Sequence, residues 1–406
     1  MTAHATTEND GSAIITIDGI SRKVIGTDIN DARRKLTTLV ADHAAATGMP
    51  VEFVSTEPEG AWSMIVHPSG EIEDNSSFTT SPITSPVAAA TERTDAYPTR
   101  RSQRESFLTQ EHTEEPAAKG MRGALGKIGI RLKPSQAERD ERNDIAAVSQ
   151  HWPGPRTIVI ANPKGGVGKT PTTIALSAVF ARNGGAGVLA WDNNQTRGTL
   201  GWRTEQGPHQ ATLLDLLPQV DTLLGTGAQS ADLAHYVHHQ TRDKFDVLRS
   251  KPTALATEQR LNTTDVDAIH SVASKYYRLV FMDSGNDESD HMWLRMIDYA
   301  DQLVVATTTR DDHAEAGALM LEALADRDER AAHLAHNAVA VITQADPKAT
   351  SRDVQRMATG FQAFTREAIT IPFDPAMVDG VLRYGSLQPA TQRAWLKAAA
   401  AVARGL

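Results

Sequence analysis

Residues 164–170 read Lys-Gly-Gly-Val-Gly-Lys-Thr, and this heptapeptide constrains the fold more than any other part of the chain. An apolar run, Thr157 to Ala161, precedes it, and a stretch of helical character, Thr172 to Ala181, follows it. A strand, a glycine-rich turn and a helix N-terminus form a phosphate cradle, because backbone N–H groups converge there and the helix end carries partial positive charge. We therefore expect Lys169 to reach the terminal phosphates and the Thr170 hydroxyl to bind Mg²⁺. The remaining predicted nucleotide-binding residues are Lys164, Gly165, Gly166, Val167 and Gly168.

Strand and helix signals alternate from Arg156 onward, which is typical of a parallel sheet with helices on both faces. The predicted strands are nearly continuous apolar runs, as in a doubly covered sheet. They are Thr157–Ala161, Gly187–Trp191, Phe245–Leu248, Leu279–Met282, Leu303–Thr307, Ala338–Thr343 and Ala368–Ile371. The fold class predicted for residues 156–406 is α/β, a doubly wound, mainly parallel sheet P-loop NTPase domain. Ligands of such sheets bind at the carboxyl ends of the strands.

Two aspartates follow predicted strands at this edge. Asp192 comes after the second strand and is expected to orient the water that attacks the γ-phosphate, since positioning and charge neutralisation provide most of the catalysis of phosphoryl transfer. An Asx turn that closes the strand is the alternative interpretation of Asp192. Asp283 ends the fourth strand and is expected to act on Mg²⁺ together with Thr170.

The loop and the two aspartates together resemble the ParA/MinD family of ATPases. The loop has Pro163 at a position where the strict phosphate-loop pattern requires glycine. It also carries a second lysine, Lys164, as the deviant loop of that family does. In the family this lysine reaches the partner's nucleotide across a dimer interface. The family often has Asp-x-Asp where this chain has Ala190 and Asp192, so Asp192 matches the second aspartate, the one tied to hydrolysis. The Ser-Gly-Asn after Asp283 differs from the Thr-Pro-Pro common in the family.

The resemblance implies ATP and Mg²⁺ as cofactors, a homodimer in the ATP state and a protein partner that stimulates hydrolysis. More narrowly, the chain is similar to actinobacterial MinD-like ATPases with an N-terminal extension, some linked to type VII secretion and others to plasmid or chromosome partition. Nonspecific DNA is a possible partner. The basic residues that could contact it, each also explicable as a solvated helix residue, are Lys348, Arg352, Arg356, Arg366, Arg383, Arg393 and Lys397.

The part of the chain before the phosphate loop divides into four segments. Residues 1–12 are predicted to be disordered, and residues 13–74 to form a small β-β-α-β-β domain that binds another protein, with its helix from Ile29 to about Thr47. Residues 75–118, rich in Ser, Thr and Pro, are predicted to be a flexible linker. Residues 119–155 hold a basic, apolar stretch and a connecting helix from about Ser135 to Gln150. The stretch could contact DNA, lipid or its own domain.

The composition sets limits on function. The absence of cysteine excludes disulfides, thiolate catalysis and an iron–sulfur reductase of the nitrogenase iron-protein type. A net charge of −9 argues against a wholly nucleic-acid-binding surface but allows local basic patches. No transmembrane segment or signal peptide is evident, so we expect a cytoplasmic protein.

Two functions therefore stay open at this stage. The first is an ATP-driven switch in plasmid or chromosome partition and positioning. The second is an ATPase adaptor or regulator of a type VII-like secretion complex or a membrane-associated complex. Both predict an ATPase that acts on the bond between the β- and γ-phosphates.

Overall fold

A computed structural model describes residues 2–7, 12–17, 20–26, 29–57, 60–69, 72–74, 114–120, 132–185, 187–194, 198–251, 261–378 and 380–406. The chain divides into two compact units, Met1–Thr109 and Gln110–Leu406.

The N-terminal unit is a six-stranded sheet with one helix packed on it. Its elements are β1 (Thr2–Thr7), β2 (Ser12–Ile17), β3 (Ile20–Ile25), α1 (Ile29–Thr47), β4 (Val51–Glu57), β5 (Gly60–Val66) and β6 (Ile72–Asp74). The strand order is β3-β2-β1-β4-β5-β6. Strands β1 and β4 run parallel, and all other neighbours run antiparallel. Leu36 and Val40 of α1 join Ile15 and Phe53 of the sheet in one buried cluster.

The prediction that residues 1–12 are disordered is wrong for residues 2–7, which form β1 in the middle of this sheet. Ala3, Ala5 and Thr7 alternate toward the buried side, with 0%, 3% and 2% of their surface exposed. Alanine is a weak strand former, so the segment carries little local signal. Its partner β4 begins far along the chain, and only the folded sheet makes the pairing visible. The predicted helix from Ile29 to Thr47 is present, as are the strands on either side of it.

The predicted linker, residues 75–118, also differs from the structure at its C-terminal end. Residues 75–113 lie outside the described part of the chain, but residues 114–118 are bound to the helix α2 (Gln136–Val148). Arg142 donates to the carbonyls of Glu115 and Pro116 at 2.9 and 2.8 Å, and Glu138 accepts from the Ala118 N–H at 2.8 Å. Residues 114–118 therefore belong to the second unit. Most of the basic, apolar stretch, residues 121–131, lies outside the described residues.

The second unit alternates strands and helices as predicted. Its strands are β7 (Arg156–Ala161), β8 (Val188–Asn193), β9 (His238–His239), β10 (Asp246–Leu248), β11 (Leu279–Ser284), β12 (Gln302–Thr308), β13 (Val339–Thr343) and β14 (Glu367–Ile371). After α2, its helices are α3 (Lys169–Gly184), α4 (Leu200–Arg203), α5 (Leu213–Leu216), α6 (Val220–Leu224), α7 (Ser230–Leu233), α8 (Thr263–Tyr276), α9 (His291–Tyr299), α10 (Asp311–Arg327), α11 (Glu329–His336), α12 (Ser351–Gln362) and α13 (Pro389–Ala403). Short 3-10 turns cover Leu217–Gln219, Pro375–Met377 and Tyr384–Ser386.

The sheet order of this unit is β14-β13-β12-β7-β11-β8-β10-β9. All neighbours are parallel except β9, a two-residue antiparallel edge strand that the sequence did not reveal. Successive residues of β7 enter opposite cores, Ile158 and Ile160 on one face and Val159 on the other. Because both faces are buried, the strands read as continuous apolar runs. The predicted doubly wound, mainly parallel fold is confirmed.

Candidate functional site

The phosphate loop joins β7 to α3 and is built around glycines with positive φ. Gly166 has φ +77° and Gly168, the N-cap of α3, has φ +92°, a backbone region that residues with a side chain rarely adopt. A Cβ on Gly168 would also lie 3.3 Å from the Thr343 hydroxyl at the end of β13. The loop is therefore shaped for glycine at both places, and its N–H groups precede the positive end of α3.

Asn162 fixes the start of this loop. Its amide nitrogen donates to the carbonyls of Ala306 on β12 and His313 on α10, at 2.9 and 3.1 Å. Its Oδ1 accepts from the Lys164 backbone N–H at 3.0 Å. Asn162 is fully buried, so these bonds hold the loop against the neighbouring strand and helix.

Lys169 lies folded into its own loop. Its ammonium donates to the carbonyls of Asn162 and Lys164, both at 2.9 Å, and to Oδ1 of Asn286 at 2.6 Å. Burial lowers the pKa of Lys169 to about 8, and the nearby Asp283 opposes this shift. A phosphate group would offer the buried cation a stronger, charged acceptor than these carbonyls.

Thr170 and Asp283 meet at the edge of the sheet, as the sequence predicts for a Mg²⁺ site. The Thr170 hydroxyl donates to Oδ2 of Asp283 at 2.6 Å. The other carboxylate oxygen, Oδ1, is buried and has no hydrogen-bond partner. Burial raises the pKa of the Asp283 carboxyl above its ordinary value. An unpaired buried carboxylate oxygen beside a hydroxyl is a donor set that fits Mg²⁺, which binds through few protein oxygens and keeps phosphate and water ligands.

Asp192 lies beside Asp283 in the sheet but is closed off from the cleft. The two residues are register partners on β8 and β11, and Asp192 is only 1% exposed. Its carboxylate accepts from the Ser250 hydroxyl at 2.9 Å and from the Asn194 N–H at 3.2 Å. Burial, and then the charge of Asp283, raise the pKa of Asp192. A Cβ on Gly198 would overlap both the Asp192 carboxylate and the Ser250 hydroxyl. Asp192 therefore links the end of β8 to Ser250 and to the Asn194 backbone.

A cleft of about 440 Å³ opens over the loop. Besides residues 165–171, it is lined by Asn194, Thr199, Trp202, Arg203, Asp283, Ser284 and Asn286. Sequence reasoning missed Asn194, Thr199 and Asn286 as cleft residues. Thr199 donates to, or accepts from, the Thr170 hydroxyl at 3.0 Å. Asn194 directly follows the last residue of β8 and lines this cleft, whereas Asp192 does not, and strand periodicity does not extend to a residue beyond the strand.

Lys164 behaves differently from Lys169. Its side chain is exposed and forms no ion pair with any residue in the described ranges, although its backbone carbonyl accepts from Lys169. A long cation of this kind at the rim of a phosphate cleft can reach a group outside its own chain.

The basic residues considered as DNA contacts divide into two groups. Four are engaged within the domain: Arg356 with Asp311, Arg383 with Glu205, Arg393 with Asp144, and Arg366 with Gln302 and the Ala401 carbonyl. The other three form no ion pair within the part of the chain that the structure describes: Lys348, Arg352 and Lys397.

The strand, the glycine loop, the buried lysine and the Thr170–Asp283 pair define a P-loop nucleotide-binding domain. Residues 155–327 match the family model described as an AAA domain. This match supports the resemblance to ParA/MinD-like P-loop ATPases that the loop and the two aspartates predict.

The curated relatives include the ESX-1 secretion-associated protein EspI of Mycobacterium tuberculosis, strain H37Rv, which is 25% identical over 286 residues. The match covers 69% of this chain but 40% of the relative, so the chain spans about two fifths of that protein's length. Similar solved structures include a ParA family ATPase from Chlorobium tepidum TLS, at 18% identity and TM-score 0.49, covering 61% of this chain and 98% of that one. The cell division ATPase MinD of Pyrococcus furiosus matches at 19% identity and TM-score 0.47, covering 62% and 97%. Among the described residues, no helix has the length and apolar character needed to cross a membrane.

Proposed function

We propose that this protein is an ATP-hydrolysing switch that dimerises around ATP. The observation that carries this proposal is the paired arrangement of Lys169, buried in the loop, and Lys164, exposed at its rim. Lys169 serves its own nucleotide, and Lys164 is available to the nucleotide of a second copy.

The residues of the cleft would divide the work of ATP hydrolysis. Loop N–H groups and Lys169 would hold the phosphates, while Thr170 and the unpaired oxygen of Asp283 would hold Mg²⁺. The metal, when bound, neutralises charge on the β- and γ-phosphates. Asn286 accepts from Lys169 in the described structure, so it is placed to release that cation when phosphate enters.

The catalytic role of Asp192 stays a prediction. Its carboxylate already accepts from the Ser250 hydroxyl and the Asn194 N–H, which supports action through Asn194. We propose that the Asn194 side chain, which faces the cleft, contacts the attacking water and that Asp192 holds it in place. Asn194 has no ionisable group, so it would orient the water without taking its proton.

The dimer proposal is tested by measuring molar mass in solution with Mg²⁺ and a non-hydrolysable ATP analogue. We expect the wild type to dimerise, Lys164→Ala to bind the analogue and remain a monomer, and Lys169→Ala to lose binding. A matched control is Lys348→Ala, which removes an exposed lysine elsewhere and leaves dimerisation intact. A Lys164→Ala protein that dimerises as well as the wild type would refute the role of Lys164.

The cellular setting has two candidates. The first is plasmid or chromosome partition, in which the ATP dimer binds nonspecific DNA through the exposed Lys348, Arg352 and Lys397. The second is a secretion-associated or membrane-associated complex, and the similarity to EspI, a protein named for its association with ESX-1 secretion, favours it. In either setting we propose that the N-terminal unit binds a protein partner and that another protein stimulates hydrolysis.

A DNA-binding assay separates the two settings. Partition predicts that the full chain binds nonspecific duplex DNA only with ATP, that binding falls steeply as salt rises, and that Lys348→Ala/Arg352→Ala weakens it. A secretion adaptor predicts no ATP-dependent DNA binding and the recovery of secretion components with the full-length protein from its own cells.

A further inference from the structure

A second basic recess lies in the ATPase unit, away from the phosphate loop. It has a volume of about 480 Å³ and is lined by Arg182, Thr241, Arg242, Lys244, Arg383, Gly385 and Ser386. Its four cations come from three places in the chain: the last turn of α3, the turn between β9 and β10, and the 3-10 turn near residue 384. Four cations around one recess are notable in a chain with net charge −9.

Two acids hold the frame of the recess and neutralise two of its cations. Asp243 is 3% exposed, pairs with Arg182 at 3.0 Å and accepts from the Tyr384 N–H at 3.0 Å. Glu205 pairs with Arg383 at 3.1 Å and accepts from the Thr241 hydroxyl at 2.8 Å. These contacts tie the three segments together, so the recess has a built frame.

The other two cations have no such partners. Arg242 and Lys244 are exposed and form no ion pair with any residue in the described ranges. Lys244 also has a positive φ, +68°, and among the described residues it is the only non-glycine residue with a positive φ. A non-glycine residue in this region costs about 1 kcal/mol or more, and such costs concentrate where a ligand is held. The conformation is kept by a 2.7 Å hydrogen bond from the Lys244 N–H to the Gln240 carbonyl.

We propose that this recess binds a compact, multiply charged phosphate anion, such as a diphosphate or a phosphate ester. Arg242 and Lys244 supply the charge, and the framed Arg182 and Arg383 supply further N–H donors to oxygen. A compact anion suits the site better than a long polyanion, because the cations surround one concavity and do not form a stripe along a surface. This site is separate from the ATP site and does not depend on the proposed hydrolysis.

Titration calorimetry with inorganic pyrophosphate tests the proposal on the full-length protein at low salt, without added metal. We expect two sites in the wild type, one in the phosphate loop that ADP displaces and one that ADP leaves in place. In Arg242→Ala/Lys244→Ala we expect the ADP-insensitive affinity to fall at least tenfold and the ADP-sensitive site to remain. The matched control, Arg22→Ala/Lys23→Ala, removes the same charge from two exposed positions on β3 and keeps both sites.

Three outcomes would overturn the proposal. Complete displacement of pyrophosphate by ADP would mean that only the phosphate loop binds it. Equal loss in both double variants would mean that binding reflects net charge alone. Loss of binding to duplex DNA or to vesicles of anionic lipid in Arg242→Ala/Lys244→Ala, with no pyrophosphate site in the wild type, would assign the recess to an extended polyanion. Failure of the ATP site itself appears separately, as loss of the ADP-sensitive site.

Discussion

Gly198 is the position where one added methyl group should affect hydrolysis most specifically. In Gly198→Ala the Cβ would overlap the Asp192 carboxylate and the Ser250 hydroxyl, both buried. Relief requires the hydrogen bond between them, now 2.9 Å, to break or the backbone at Gly198 to move. Loss of a hydrogen bond to a charged group costs about 1.5–3 kcal/mol, and overpacking adds about 1–3 kcal/mol. We expect destabilisation of about 3 kcal/mol, which lowers the Tm of a unit this size by about 6 °C.

The matched control is Gly360→Ala, because a Cβ at Gly360 meets nothing within 4 Å and the residue lies in α12. This variant should be neutral or more stable by up to about 1 kcal/mol. Tryptophan fluorescence can follow unfolding, since five of the six tryptophans lie in the second unit. Calorimetry should show that Gly198→Ala retains affinity for a non-hydrolysable ATP analogue within a few-fold, while hydrolysis falls at least tenfold. Equal Tm and equal hydrolysis in the two variants would refute the role assigned to Asp192 and its bond to Ser250.

Three further predictions concern the loop and the core. Thr170→Ala should lose most of the Mg²⁺-dependent gain in ATP affinity while keeping metal-free ADP binding, and titrations with and without Mg²⁺ measure this; an unchanged Mg²⁺ dependence would contradict the assignment. Asn286→Ala should change the ratio of ATP affinity to ADP affinity, because it removes the 2.6 Å contact to Lys169. A ratio equal to that of wild type would show that the contact does not affect nucleotide discrimination. Burial lowers the pKa of His270 to about 4, so the unfolded chain binds its proton first and stability should fall by about 2 kcal/mol as pH drops from about 6.5 to 4. Urea unfolding at several pH values should show a smaller loss in His270→Gln, and an identical loss would contradict this explanation.

The sequence was informative where chemistry depends on local spacing. The strand before Lys164, the glycines with positive φ and the helix from Lys169 are all encoded within one short stretch, so the phosphate loop could be read directly. The strands could also be predicted from their apolar runs, because both faces of the sheet are buried. Asp283 was found for the same reason, as the polar residue that ends such a run.

Contacts between distant segments could not be predicted from the sequence. Ser250 contacts Asp192 across 58 positions of sequence, and Asn286 contacts Lys169 across 117. Local sequence pattern does not indicate pairings at such separations. The basic recess likewise assembles residues from near 182, 242 and 383. Polar residues on exposed turns have no periodicity, so only the folded chain shows which of them converge.

The central place of β1 in the N-terminal unit has a consequence for how that unit forms during synthesis. Residues 2–6 pair with residues 52–56, so the sheet cannot close until β4 has been made. Until then, β1, β2 and β3 can form only a meander whose β1 edge offers unpaired N–H and C=O groups to any passing strand. Closing a loop of about fifty residues also slows folding compared with a hairpin. The nascent chain therefore passes through a stage in which β1 is the strand most exposed to mispairing, and substitutions in β1 should act on that stage before they act on the ATPase unit.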